Sequence, residues 1–115
     1  MTIGQTWAET IKWGGASTHY HLTVKQCNDE VSGYIYRPHV MATDELLHGM
    51  ALGGDLERGA TALLGVFLET YPITNKATHA DALALAWSWM GCEGVEESKR
   101  LAMLSAAIAR YEQGL

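Results

Sequence analysis

The sequence predicts an α+β domain: a small N-terminal three-stranded antiparallel sheet, followed by and packed against three to four α-helices. Three observations predict it. Residues 19–26 alternate between apolar and polar side chains at period two. Pro38 closes the last stretch of that kind, and beyond it the apolar spacing lengthens to that of helices. The chain has 115 residues, room for one core, and 48% of them are apolar, enough to fold.

The first strand is expected over 7–13, with Trp7, Ile11 and Trp13 on one face. Glu9 interrupts that face, which suits an edge strand. Gly14-Gly15 with Ser17-Thr18 signals a turn. The second strand, 19–26, is the clearest. Tyr20, Leu22 and Val24 point one way; His19, His21, Thr23 and Lys25 point the other. Asn28-Asp29-Glu30 is turn-like, and the third strand, 33–37, reads Gly-Tyr-Ile-Tyr-Arg before Pro38 ends it. Short links favour antiparallel neighbours, and so thin a sheet needs helical cover on one face.

Thr43 suits the N-cap of a short helix over about 44–52, with Asp44 and Glu45 in its first turn, where free amides favour negative charge. Gly53-Gly54 interrupts it. Asp55 suits the cap of a helix over 56–71, whose stripe is Leu56, Ala60, Leu63, Leu64, Phe67, Leu68 and Tyr71. Thr78 and Asp81 have capping-box spacing for a helix over 79–90. That helix is apolar nearly all round, so it is expected at the centre, contacted on several sides. The last helix, 95–112, turns Leu101, Leu104, Ile108 and Tyr111 inward, and Glu96 and Arg100 are spaced to pair across one turn.

Thirteen acidic residues against eight basic ones give a net charge of −5. Glu9, Asp29 and Glu30 balance Lys12, Lys25 and Arg37 in residues 1–42, so the whole excess falls in 43–115. The only adjacent basic pair, Lys99-Arg100, follows Glu96 and Glu97. No basic run offers itself to a phosphate backbone, so direct nucleic-acid binding is not expected. A protein partner with a basic surface is. No apolar run approaches the roughly 18 residues of a membrane span. Residues 1–10 lack the basic-then-apolar order of a signal peptide. A cytoplasmic location follows as the expectation, with Cys27 and Cys92 as free thiols.

Candidate chemistry is sparse. His19 and His21 share a strand face about 7 Å apart, with Cys27 on the same side, but no second ligand motif accompanies them. Glu45 and His48 have the i, i+3 spacing of di-iron bundles, in a single copy. His79 and Asp81, two apart at a helix start, do not face each other. Ser88 is expected to bond back to the carbonyl at 84. Cys92 follows a helix C-terminus, which does not activate a thiol. Gly53-Gly54-Asp55 lacks a P-loop lysine. No catalytic residue, metal or cofactor is therefore expected; a small metal-dependent enzyme using the strand histidines stands as an alternative.

The aromatic residues make the better case. Four tryptophans and five tyrosines are many for this length. Tyr34 and Tyr36 share one face of their strand and Ile35 takes the other. Trp7, Trp13, Tyr34 and Tyr36 are the expected contact residues on the sheet. Acidic contacts are expected from Asp44, Glu45, Asp55, Glu57, Glu93, Glu96 and Glu97. The expected function is that of a small acidic protein-binding regulator or inhibitor; the alternative is a structural or assembly protein forming a homo-oligomer such as a homodimer. In size and charge the chain resembles small accessory proteins of phages and mobile elements. Some of those block host nucleic-acid machinery with acidic surfaces. The likeness is one of size and charge, and no motif carries it.

Overall fold

The computed structural model describes residues 4–15, 18–38, 45–91 and 94–114. Four strands come first: β1 (Gly4–Lys12), β2 (His19–Cys27), β3 (Glu30–Arg37) and β4 (Glu45–Leu52). Three helices follow: α1 (Leu56–Thr70), α2 (Lys76–Trp89) and α3 (Val95–Gln113). The strands pair in sequence order, each antiparallel to the next, and the helices pack against the sheet. This is the expected α+β layout with one strand more.

Register fixes what each face carries. Trp7 lies opposite Val24, Glu9 opposite Leu22 and Ile11 opposite Tyr20. Leu22 in turn pairs with Ile35, and Ile35 with His48. Ile11, Leu22, Val24, Val31 and Ile35 are buried, so this is the face beneath the helices. Asn28 opens the two-residue β2–β3 loop at a φ of 58°, a left-handed conformation that tight hairpins require and asparagine tolerates.

The helix expected over 44–52 is instead strand β4. His48, Met50 and Leu52 continue the inner face at period two, and Gly49 weakens a helix at its middle. Pairing here also covers an edge of β3 that would otherwise expose its amides and carbonyls. Between Ile35 and Tyr36 the register slips: Ile35 faces His48 while Tyr36 faces Leu46, so Leu47 is the extra residue of a bulge. The cap argued for Thr43 and Asp44 lies outside the described residues.

α1 begins as expected, with the Asp55 carboxylate accepting from the Arg58 amide. It lays Gly59, Ala60, Leu63, Leu64 and Phe67 on the sheet. Gly59 permits the close approach: a Cβ there would stand 2.8 Å from Val31 Cγ1 and 3.0 Å from Val24 Cγ1. Phe67 centres an aromatic cluster, 5.4 Å from each of the Trp13, Tyr20 and Tyr71 rings.

α2 starts a turn earlier than the Thr78–Asp81 spacing implied. Asn75 is its cap, accepting from the Thr78 amide at 2.9 Å and the Thr78 hydroxyl at 2.6 Å. Asp81 serves another purpose: its Oδ2 accepts from the Gly14 and Gly15 amides, both at 2.9 Å, in the β1–β2 turn. Nor is α2 central. It packs along α3 and buries only Thr78 and Ala82, because α1 already occupies the middle of the sheet. In α3, Leu104 and Ile108 are buried as expected, while Leu101 and Tyr111 flank them half-buried. The expected Glu96–Arg100 pair does not form. Glu96 bonds Thr61 and Lys99, and Arg100 faces Glu97 at 3.8 Å. No helix among the described residues is long and apolar enough to cross a membrane.

Candidate functional site

Strand alternation turns one set of side chains away from the helices. On β3 this set includes Tyr34 and Tyr36, since Ile35 between them is buried. Their rings stack, with centroids 6.1 Å apart and planes 26° from parallel. Lys25, from the neighbouring β2, holds its ammonium 5.6 Å from the Tyr34 ring centroid. Gly49 lies across from Tyr34, and a Cβ there would sit 3.4 Å from the ring, so the glycine leaves it room to lie over the backbone. Thr23, Ser32 and Ala51, at adjoining positions of the same face, are small. The surroundings of Tyr34 are therefore low apart from Lys25, while Tyr36 lies between His21 and the exposed Leu46.

Acidic groups gather at one end of this sheet. Asp29 and Glu30 belong to the β2–β3 hairpin, and Glu30 is roughly 13 Å along β3 from Tyr34. Asp55 and Glu57, both exposed, open α1 at the same end, tied there by the Leu56 amide donating to Gln26 Oε1 at 3.1 Å. Glu45 lies on β4, paired with Arg37 at 2.7 Å. Glu96 is buried. The Thr61 hydroxyl holds its carboxyl below the usual carboxylate range, with Lys99 adding to the effect and burial opposing it. Asp44 and Glu93 lie outside the described residues.

Trp7 and Trp13 do not join the tyrosines; both face the helices. Trp13 is only 4% exposed and donates its indole N–H to the Tyr71 carbonyl at 2.8 Å. Trp7 lies under the Arg100 guanidinium, 5.5 Å away. With Glu9, Trp89 and Glu97 these two line a cavity of about 160 Å³. Burial pushes the Glu9 carboxyl up, against the pull of Arg100 and of a hydrogen bond from Trp89.

The other candidates stay apart. His48 Nε2 lies 3.2 Å from the Tyr71 hydroxyl, while Glu45 turns to Arg37. His79 pairs with Glu112 at 3.1 Å, and the Ser88 hydroxyl donates to the Leu85 carbonyl, one residue on from the expected acceptor. Cys27 is a free, exposed thiol; Cys92 lies outside the described residues. Among the described residues, no three of His, Cys, Asp and Glu come together as a metal site requires.

A second surface was not foreseen. On α2, Trp87 is 75% exposed, Met90 59% and Leu83 44%, and Val95 opens α3 at 72%. A groove of about 300 Å³ runs beside Leu83, Trp87 and Met90, lined on α3 by Leu101, Ser105, Ile108 and Glu112. Its signal was in plain view: Ala80, Leu83, Trp87 and Met90 recur at the 3-4-3 spacing of a helix–helix seam. In comparisons with protein-family models, with curated proteins and with solved structures, nothing matches this chain.

Proposed function

We propose that this chain is a small acidic protein-binding regulator or inhibitor acting in the cytoplasm, of the type phages and mobile elements direct against host nucleic-acid machinery. It works by contact and not by catalysis. One observation supports the reading above the rest: a stacked, half-buried tyrosine pair on the sheet face turned away from the helices, with Thr23 and Gly49 beside Tyr34 and His21 and Leu46 beside Tyr36. Tyrosine offers a large rigid contact area with a polar tip, and such rings dominate binding energy when a partner encloses them. Leu46, 53% exposed beside Tyr36, extends the apolar contact area that the pair offers. Asp29, Glu30, Asp55 and Glu57 form an acidic rim at one end, which steers a basic surface into register. A partner that uses the same basic groups for nucleic acid is blocked while the rim covers them.

The test starts with capture of a partner from a host lysate, followed by titration of the purified pair. Replacing Tyr34→Ser and Tyr36→Ser together is expected to weaken that complex at least about tenfold. Asp55→Lys with Glu57→Lys is expected to slow association and flatten its salt dependence. An affinity indifferent to the tyrosines, or a chain that captures nothing, overturns the reading.

A further inference from the structure

We propose that the cavity between β1, the end of α2 and the start of α3 binds a small, neutral, planar ring that carries an amide edge, of the carboxamide or aminopyrimidine class. This goes beyond the partner reading above. The site lies on the helix side of the sheet, away from Tyr34 and Tyr36.

Three elements build it. β1 sends Trp7 and Glu9 inward at period two, α2 ends on Trp89, and α3 adds Glu97 and Arg100 one turn apart. Voids left by packing are apolar, whereas all five residues lining this one are aromatic or charged. Trp7, Glu9, Trp89 and Glu97 are each only half-buried, so the cavity is reached from solvent. It measures about 160 Å³, and a cavity of about 150 Å³ holds one benzene ring. The two indoles give such a ring aromatic walls to lie against.

Arg100 sets the polar requirement. It is 8% exposed, with its guanidinium 5.5 Å from the Trp7 ring centroid. Its Nη1 is buried and meets no hydrogen-bond acceptor among the described residues. Its Nη2 lies 3.8 Å from Glu97 Oε1, close enough for the charges to attract and too far for a hydrogen bond. A buried cation so poorly bonded is unfavourable, and Glu9 brings no relief because it accepts from Trp89. A ligand edge with an acceptor beside a donor serves both walls of the gap. The acceptor takes an N–H of Nη2 while the donor bonds the Glu97 carboxylate. A carboxamide and an aminopyrimidine each present that pair in one plane.

Charge narrows the class further. Arg100 offsets Glu97, and burial disfavours charge on Glu9. An anionic ligand meets two carboxyl groups here, and a cationic one meets Arg100. A neutral ring meets neither opposition.

NMR titration of the full chain with nicotinamide, cytosine, benzoate and benzylammonium tests this, read on the indole N–H signals of the four tryptophans. Nicotinamide or cytosine is expected to move the Trp7 and Trp89 signals saturably, with half-saturation at about 0.1–1 mM, and to leave those of Trp13 and Trp87 in place. The tighter of the two assigns the class. Benzoate and benzylammonium are expected to move none of them up to about 10 mM. Arg100→Lys keeps the cation but loses the planar fork, and is expected to weaken binding at least about tenfold. Glu97→Ala, at a half-buried position, is the second variant should the first disturb the fold, with an expected loss of about fivefold. Trp87→Ala is expected to bind like the parent. Absence of a saturable shift with both neutral rings overturns the proposal. So does equal affinity for either charged ring, or full affinity in both the Arg100 and Glu97 variants.

Discussion

α1 and α2 are nearly equal in length, 15 and 14 residues, and similarly apolar. Yet α1 lies across the sheet and most of α2 stays at the surface. The difference lies in how each distributes its apolar groups. α1 gathers Ala60, Leu63, Leu64 and Phe67 into one stripe, and Gly59 lets that stripe reach the strands. α2 spreads leucine, alanine and tryptophan around its circumference and packs chiefly along α3, touching the sheet through Asp81 and Trp89. Apolar content says how much a helix gains from burial; the neighbour decides how much of that gain is realised.

The sharpest way to break the comparison is to empty each helix of its largest ring. Phe67→Ala removes the centre of the aromatic cluster and is expected to lower stability by about 3–5 kcal/mol. Trp87→Ala is expected to change it by no more than about 0.5 kcal/mol. Urea titration of both variants checks the contrast, and comparable losses would mean that α2 is as deeply packed as α1. Next comes the close approach of α1. Gly59→Ala drives a methyl into Val31 and Val24, and is expected to cost about 1–3 kcal/mol in the same titration.

A smaller effect is expected where the end of α2 reaches the sheet. Glu9 is held near Trp89, its carboxyl raised by burial. A raised carboxyl favours the protonated native state, so the penalty for ionising Glu9 is absent in acid and grows as pH climbs past its ordinary value of 4.5. Glu9→Gln is therefore expected to raise the melting temperature at pH 7 and to leave it unchanged near pH 4. An equal gain at both would assign the effect to packing.

The strand 19–26 was legible because alternation over eight residues has one reading, and α1 because its stripe, cap and stop agree. β4 was not. Glu-Leu-Leu-His-Gly-Met-Ala-Leu is short and its apolar residues fit either period, so an apparent cap tipped the reading towards helix. What decided it was the open edge of β3, a tertiary fact. The location of α2 failed for a related reason: its composition demands cover without saying which element provides it. Tyr34 and Tyr36 were legible as a pair with a common face. Which face that was depended on Ile35 lying under α1, and the separation of Trp7 and Trp13 from them followed from the β1–β2 register.

The two hydrogen bonds from the Gly14 and Gly15 amides to Asp81 span 67 and 66 residues of chain. During synthesis the first hairpin emerges well before the carboxylate that closes its turn, and before the helices that cover its inner face. Until then the nascent sheet leaves Ile11, Leu22 and Ile35 uncovered. Full closure of the first turn is therefore expected only after residue 81 has been made. A ribosome-arrested fragment ending before residue 81 should be sensitive to protease over its whole length, and protection should arrive late and all at once.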